Sequence, residues 1–417
     1  MMMENNRSMW EEAREKAILF LLLLFIFCLP LFPQTATVVL NVTVMLALVD
    51  NVLSRRFKMT LGKPFLLVLL FAVLAAVSVR NSPNFAASWY NYKVLMPQYV
   101  FSYWLVASYI RTGQEVKQAV RTLLYSALCV SLYGLYQYYF GNVLLNYGWV
   151  DPELFPMLQN RVFSTLQNPN ILASFLVTAL SFAVGGILVD KRWQVRTVLA
   201  IFSAIMAACL ILTFSRSAWF ALIVSLCLAS VIYNYRFLFV LLPTTLLVIF
   251  STKDLILLRF MSIFQGNDSS ILLRFALWES TRVMIERHFW TGIGWGAYQF
   301  LYPEYDFYIN NPTIIIYHAH NMYLNIAAEV GVPALLLFVF LLFWHGYMTF
   351  KVVKTSEQTV DKACALGFVA AQCGVFIGGF ADYTLFNMEL MTLYWLTNAL
   401  MYSLWRYNKD RVNNVGK

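Results

Sequence analysis

The chain has 417 residues, of which 60% are hydrophobic and 12% are charged, and its mean hydropathy is +0.64. This composition excludes a soluble globular protein, which carries about twice that share of charged residues. Apolar runs of about 17–25 residues recur along the chain, and runs of this length cross a bilayer as α-helices. The sequence therefore predicts an all-α polytopic membrane protein, because helices satisfy their own backbone groups in lipid.

Twelve apolar segments are predicted to cross the membrane. A polar segment at residues 1–16 precedes them, and a polar tail at residues 406–417 follows them. Crossings one to nine occupy residues 17–251, and crossings ten to twelve occupy residues 321–405, with a large loop at residues 252–320 between the two groups. The crossings lie at approximately 17–33, 34–53, 64–80, 94–110, 119–140, 168–189, 195–214, 217–235, 237–251, 321–348, 363–382 and 387–405.

The distribution of basic residues predicts the orientation of these crossings. With twelve crossings, 21 of the 30 Lys and Arg residues fall on the side that holds both termini. Cytoplasmic loops are enriched in Lys and Arg, so both termini are predicted to be cytoplasmic and the large loop to lie on the outer side. Topology thus accounts for most of the net charge of +9, and we expect no nucleic-acid partner.

Nine basic residues remain on the outer side, and seven of them are arginines. Arg161 ends one outer loop, and Arg216 lies in a short turn between two crossings. Contact with lipid headgroups is one explanation for such arginines. A guanidinium group also binds phosphate through two parallel hydrogen bonds, which an ammonium group cannot do. The predominance of arginine therefore favours a phosphate-binding site on this side.

The large loop contains a helical pattern and a glycine-rich turn. Apolar residues recur at helical spacing along residues 270–289, and residues 267–270 offer N-caps. We predict a helix on the membrane surface that carries Arg274 and Arg282. The glycines at residues 292–296 follow it. No strand precedes them, so they indicate a tight turn instead of a nucleotide site.

His318, His320 and Asn321 stand where the large loop enters an apolar segment. A histidine has an ordinary pKa of about 6.5 and can accept a proton near neutral pH, so His320 is a candidate general base, with His318 as its rival. The alternative is a structural histidine that caps the following helix. A zinc site would need a third ligand such as Cys or Glu nearby. None of the six cysteines lies on the outer side, so we expect no metal and no cofactor.

Four segments resemble motifs of the O-antigen ligase and polymerase superfamily of bacterial envelope enzymes. Three positions depart from the family pattern: Ser164 stands where glycine is usual, Trp290 where proline is expected, and Ala334 where the ligase signature has Gly, Thr or Tyr. The four segments are Arg161 to Asn170 (RVFSTLQNPN), Ser215 to Trp219 (SRSAW), Arg274 to Trp278 with Gly292 to Gly296, and His320-Asn321 with Gly331.

The resemblance implies a membrane fold like that of C-type glycosyltransferases. It also implies an enzyme that takes a glycan from undecaprenyl diphosphate. The enzyme would lie in contact with the lipids of the bacterial inner membrane, and its active site would face the periplasm. Members of the superfamily are metal-independent and invert the anomeric carbon. By this resemblance Arg161, Arg216 and Arg274 would bind the donor diphosphate, and they would have to lie close together. His320 would deprotonate the acceptor hydroxyl. The supporting residues would be His318, Asn321, Arg282 and Asn170.

Three functions are compatible with this resemblance. Transfer to lipid A–core would make the protein an O-antigen ligase of lipopolysaccharide biosynthesis, whereas transfer to a second lipid-linked glycan would make it a polymerase. The spacing from His320-Asn321 to Gly331 favours the ligase, and Ala334 leaves the polymerase open. A transporter would bind the same lipid without chemistry. The chain has no nucleotide-binding loop and few mid-membrane acids, so neither ATP-driven nor proton-coupled transport is favoured.

Overall fold

The computed structural model describes residues 9–54, 62–141, 161–251, 269–307 and 315–415. Within these ranges the protein is all-helical and has no β-strand, as the composition predicts. The α-helices in the described ranges are α1 (Met9–Cys28), α2 (Pro33–Leu53), α3 (Lys63–Val79), α4 (Phe85–Tyr109), α5 (Gly113–Phe140), α6 (Pro169–Val189), α7 (Trp193–Leu212), α8 (Arg216–Tyr233), α9 (Leu238–Ser251), α10 (Ser269–Arg287), α11 (Tyr298–Leu301), α12 (Met322–Val330), α13 (Val332–Thr355), α14 (Thr359–Gly378) and α15 (Met388–Val415).

Every segment predicted to cross the membrane overlaps one of these helices. In the described part of the chain seven helices, namely α2, α5 to α8, α13 and α14, are long and apolar enough to span a bilayer by length and composition. The protein is therefore a polytopic membrane protein, as predicted. The remaining crossings and the cytoplasmic placement of both termini stay predictions, and we call the predicted periplasmic end of each helix its outer end.

Helix α14 packs against α6, α8 and α13. Its close approach to α6 depends on glycine, since a Cβ at Gly185 would lie 2.6 Å from the backbone nitrogen of Gly367. Small residues let membrane helices approach closely enough for dispersion to hold them together. Beside this contact, Phe182 and Phe368 pack edge to face with ring centroids 4.7 Å apart. The contact fixes α14, whose outer end leads into the loop that contains Asp382.

The crossing predicted at residues 321–348 is divided into two helices. Helix α12 ends at Val330 and α13 begins at Val332, because Gly331 between them has a φ of +95° that interrupts the helix. Pro333 lies in the first turn of α13, where its missing N–H costs no helical hydrogen bond. The nine-residue α12 therefore belongs to the outer loop, and His320 lies just before it.

The predicted glycine turn docks the outer loop onto α12. Gly292 and Gly294 have φ values of +67° and +116°. The backbone nitrogens of Ile293 and Gly294 donate to the carbonyl oxygens of Ala328 and Glu329 at 2.8 and 3.0 Å. A Cβ at Gly292 would lie 2.3 Å from the Glu329 carbonyl oxygen. Glycine is thus required at position 292 both by its φ and by the space available.

We expect Gly292→Ala to lower the free energy of unfolding by about 2–4 kcal/mol, because alanine is strained at this φ and its Cβ would clash with α12. Gly346→Ala is the matched control, since a Cβ at Gly346 meets nothing within 4 Å. Alanine there should be neutral or stabilising by up to about 1 kcal/mol. Thermal unfolding of the purified proteins in detergent measures both effects. Equal unfolding midpoints for the two variants would contradict the docking of the turn.

A buried carboxyl group holds the same turn from the α12 side. The carboxyl oxygens of Glu329 accept hydrogen bonds from the backbone nitrogens of Gly296 and Tyr298 at 3.1 and 3.3 Å. Glu329 is 6% exposed, and its burial raises the pKa of the carboxyl from its ordinary value of 4.5 to about 7. Hydrogen bonds from the turn oppose this rise without cancelling it.

The raised pKa of Glu329 predicts how stability depends on pH. Between about pH 4.5 and pH 7 the folded protein keeps a proton on Glu329 that the unfolded chain releases. The contribution of this proton to the free energy of unfolding is therefore complete below pH 4.5 and is lost as the pH rises to 7. The loss is about 3 kcal/mol. Glu329→Gln keeps a hydrogen-bond acceptor without the charge, so its unfolding midpoint should match wild type at pH 4.5 and exceed it at pH 8. A difference that does not grow with pH would contradict this expectation.

Candidate functional site

Asn321 anchors the loop that contains His318 and His320. It is the N-cap of α12, and its Oδ1 accepts hydrogen bonds from the backbone nitrogens of Tyr323 and Leu324, both at 3.0 Å. Its Nδ2 donates to the carbonyl oxygen of Phe380 at 3.2 Å. Asn321 therefore ties the beginning of α12 to the loop that follows α14, and it fixes the backbone next to His320.

A continuous line of hydrogen bonds joins His320 to Arg161, and we call these contacts the His320–Arg161 line. His320 Nδ1 lies 3.0 Å from Asp382 Oδ1. Asp382 Oδ2 accepts from Asn170 Nδ2 at 2.9 Å, and Asn170 Oδ1 accepts from Arg161 Nη2 at 2.7 Å. Arg161 also donates from Nε to the carbonyl oxygen of Thr213 at 2.7 Å, in the turn before α8. The fold thus brings two of the predicted residues, Arg161 and Asn170, to His320 through Asp382.

Backbone strain is concentrated in the segments that build this line. Among the described residues, the non-glycine residues with positive φ are Ser164, Gln167, Phe214 and His320. Such conformations cost about 1–3 kcal/mol each and persist where the surrounding structure imposes them, often at functional sites. Ser164 has a φ of +53°, and its hydroxyl donates to the carbonyl oxygen of Val130 at 2.7 Å. A left-handed residue here explains why the superfamily motif has glycine at this position.

Asp382 is the anionic centre of the His320–Arg161 line, and it is 6% exposed. Burial alone would raise its pKa. The hydrogen bond and charge of His320, with the charges of His318 and Arg274, instead hold the pKa of this carboxyl well below its ordinary range. Asp382 is therefore a carboxylate at neutral pH. A carboxylate accepts the Nδ1–H of His320, and this tautomer leaves the lone pair on Nε2.

His318 packs beside His320 and orients it. The two ring centroids are 4.3 Å apart, and His318 Nδ1 accepts a hydrogen bond from the backbone nitrogen of His320 at 3.2 Å. His318 also stacks on Phe386, with ring centroids 4.8 Å apart. Burial, together with the charge of His320, lowers the pKa of His318 to about 4. His318 is therefore neutral at physiological pH, which suits a positioning residue.

The two predicted arginines of α10 lie in different surroundings. Arg274 is near enough to the His320–Arg161 line that its charge lowers the pKa of both Asp382 and His318. Arg282 lies two turns further along α10, in an ion pair with Glu286 in which both side chains are more than half exposed. The charge of Arg274 therefore acts on the site, whereas Arg282 lies in a solvent-exposed pair.

Helices α6, α8 and α12 begin at the site. A helix N-terminus attracts anions, because its first N–H groups lack helical partners and its dipole is positive there. The side chains of Asn168 and Asn321 cap α6 and α12. Helix α8 begins at Arg216, and its N-cap residue Ser215 makes no side-chain cap. The first turn of α8, which carries the guanidinium of Arg216, therefore suits a phosphate group.

A cleft leads from the His320–Arg161 line into the helix bundle between α6, α8, α14 and α15. It holds about 770 Å³ of empty space, which includes open solvent at its mouth. The mouth is lined by polar residues, and the walls below it are mostly small or apolar. A polar mouth above apolar walls suits an amphiphile with a charged head. The mouth residues are Asn170, Ser215, Ser217, Asp382 and Thr384.

The same groups offer a second chemical possibility. His318, His320 and Asp382 each have a ligand atom within 4.8 Å of the others, a grouping that could hold a divalent cation. Asp382 is the third ligand that the sequence around the two histidines lacks. The contacts also form a hydrogen-bonded set, in which Asp382 accepts from His320 and His318 accepts from the His320 backbone. A chelator distinguishes the two arrangements, because it removes a bound cation and leaves a hydrogen-bonded set in place.

Asp382 is the site residue that the sequence motifs did not reveal. It lies 62 residues after His320, beyond the end of α14, and none of the four family-like segments contains it. One signal was available. The chain has only 21 Asp and Glu residues, and Asp382 is one of the few at the outer end of an apolar segment. An acid in that position costs solvation free energy unless it has a partner such as His320.

Comparison with known proteins gives one family match. Residues 201–339, a third of the chain, match the family described as O-antigen ligase, whose members are glycosyltransferase-like enzymes. No curated protein matches the chain in sequence. The matched residues include Arg216, Arg274 and His320, while Arg161 and Asp382 lie outside them. The match confirms the resemblance found in the sequence, because this segment of the chain is similar to the O-antigen ligase-like superfamily.

Proposed function

We propose that this protein is a glycosyltransferase of the O-antigen ligase type, which transfers a glycan from undecaprenyl diphosphate to lipid A–core at the periplasmic face of the inner membrane. The observation that carries the proposal is the hydrogen-bonded pair of His320 and buried Asp382 at the mouth of an apolar cleft. The family match supports a lipid-linked glycan as donor. Such a donor has a charged diphosphate for the mouth and an apolar chain for the walls.

In the proposed reaction His320 is the general base. Its Nε2 accepts the proton of the acceptor hydroxyl as the hydroxyl oxygen bonds to C1 of the donor sugar. The bond between C1 and the phosphate oxygen breaks, and undecaprenyl diphosphate leaves with the electron pair. Asp382 holds His320 in the tautomer that has its lone pair on Nε2, and it stabilises the imidazolium that forms. One direct displacement of this kind inverts the configuration at C1.

The leaving diphosphate carries charge that the site must stabilise. Arg274 and Arg216 supply guanidinium groups, and the first turn of α8 supplies backbone N–H groups. Arg161 is 9% exposed and hydrogen-bonds to Asn170, so it holds Asn170 against Asp382 and adds positive charge behind the mouth. These groups provide electrostatic stabilisation through the protein's own side chains and backbone.

A polymerase of the same superfamily is the second candidate, which Ala334 leaves open, because the ligase signature has another residue at that position. The two enzymes share the donor and the base and differ in the acceptor. Lipid A–core presents a core sugar hydroxyl, whereas a polymerase uses a second lipid-linked glycan. The products of one reaction therefore separate the two functions.

The test supplies the purified full-length protein with a glycan on undecaprenyl diphosphate and with lipid A–core, in buffer that contains EDTA. We expect glycan on lipid A–core. Longer glycan on undecaprenyl diphosphate, without a lipid A product, would identify a polymerase. Bound donor without either product would leave a transporter. Activity that EDTA removes and Zn²⁺ or Mn²⁺ restores would assign His318, His320 and Asp382 to a metal site.

A further inference from the structure

At its inner end the cleft is lined by Gln372 and Met401, which we call its floor. Gln372 on α14 and Asn398 on α15 are joined by a hydrogen bond from Nε2 to Oδ1 at 2.5 Å. Gln372 Nε2 also lies 3.7 Å from Met401 Sδ. Gln372 is 5% exposed and Asn398 is fully buried. The contacts of Gln372 therefore join α14 to α15 at this end of the cleft.

The floor lies at a definite depth below the mouth. At a rise of about 1.5 Å per residue, Gln372 lies roughly 10 Å further into the bundle than Gly379, which is beside the mouth. Thr178 on α6 and Thr397 on α15 line the cleft at a similar depth. The cleft is therefore much shorter than an undecaprenyl chain, and most of such a chain must lie outside it.

The walls between mouth and floor leave room for a branched apolar chain. They include Ala218, Ala221, Gly374, Gly378 and Leu393. A Cβ at Gly378 would meet only the Cβ of Ala221, at 3.9 Å, so the space beside Gly378 is open. The small side chains on α8 and α14 thus create the width of the cleft.

We propose that the cleft binds the isoprene units next to the donor diphosphate and accepts about two of them before the chain turns out into the lipid. This inference rests on the proposed function for the identity of the donor. The cleft is continuous with the mouth, where Arg274 places positive charge and α8 begins, so the chain attached to the diphosphate is its natural occupant. A longer straight chain would displace Gln372 and leave the buried amide of Asn398 unpaired, which is costly.

The inference predicts how affinity depends on chain length. Prenyl diphosphates of one, two, three and eleven isoprene units are titrated against the full-length protein in detergent, and binding is measured directly. Affinity should rise roughly 100- to 1,000-fold from one unit to two, because about five apolar carbons enter the cleft, and should change less than about threefold beyond two units. A steady rise up to eleven units would overturn the proposal. Equal binding of a straight-chain alkyl diphosphate with as many carbons as the two-unit compound would assign the cleft to an acyl chain.

Two variants locate the effect in the cleft. Gly378→Leu should fill the cleft, so that the two-unit compound binds like the one-unit compound while inorganic pyrophosphate binds as in wild type. Gly378→Ala is the matched control and should behave as wild type. Gln372→Ala should open the floor and move the plateau to three or more units, which provides an independent test if Gly378→Leu does not fold. A plateau that stays at two units in Gln372→Ala would contradict the role of the floor.

These measurements record binding, so their failure is distinct from failure of the proposed function. A plateau at two units without glycan transfer would reject the glycosyltransferase and keep the cleft as a prenyl-binding site. Glycan transfer with affinity that keeps rising with chain length would keep the enzyme and reject the short cleft.

Discussion

His320→Gln is expected to lower kcat for glycan transfer by about 10²–10⁴-fold, which is the usual contribution of a general base. Glutamine has a side chain of similar size but cannot accept a proton near neutral pH. The donor binds through arginines and the first turn of α8 in the proposed site, so its Kd should change less than about threefold. Transfer assays at saturating donor, with donor binding measured separately, provide both numbers.

His318→Gln is the control for that experiment. Burial lowers the pKa of His318 to about 4, and its Nδ1 accepts from the His320 backbone, so it is a poor base at neutral pH. We expect a loss of about tenfold or less, because the variant disturbs only the orientation of His320. A larger loss in His318→Gln than in His320→Gln would exchange the roles of the two histidines.

Asp382→Asn is expected to lower kcat by about 10²–10⁴-fold, although Asp382 does not touch the reacting atoms in the proposed reaction. The Asn amide can donate to His320 Nδ1, which would favour the tautomer that has its proton on Nε2. That tautomer cannot accept the proton of the acceptor hydroxyl. The variant also removes the charge that stabilises the imidazolium. We expect KM for the donor to change much less than kcat.

A double variant tests whether the two residues act as one unit. If Asp382 acts through His320, the variant with both His320→Gln and Asp382→Asn should be no slower than the slower single variant, because groups that act together lose their effect together. Losses that multiply would show that Asp382 acts independently of His320. Circular dichroism of each variant confirms that its helices are intact.

The fold was predictable from the sequence to the extent that hydrophobic length determines it. Every predicted crossing overlaps a helix, since a run of apolar residues in lipid has no alternative to helix. The break at Gly331 was not predicted, because the apolar run continues through it. The helix breaks at Gly331 because this residue has a φ of +95° and the backbone of the glycine turn packs against it. Both features depend on tertiary contacts.

The site was predictable where a residue type carries the chemistry by itself. A histidine at a membrane boundary and outer arginines indicate proton transfer and phosphate binding, and the fold connects Arg161 to His320 through Asn170 and Asp382. Asp382 was not predictable in this way, since its role comes from a partner 62 residues away. Arg282 was predicted as a supporting residue on the same helix as Arg274. It lies two helical turns further along that helix, in an exposed pair with Glu286.

The role of His320 as the base in a single displacement is tested most directly by the glycosidic bond that the purified protein forms in the presence of EDTA. The quantity to measure is the configuration of this bond. The donor sugar has a known configuration at C1, and the coupling constant of the anomeric proton in the isolated product reports the new one. A single displacement assisted by His320 predicts inversion, with full activity in EDTA. Retention of configuration would require two displacements through a covalent intermediate, and it would contradict the central role of His320 as a base acting on the acceptor.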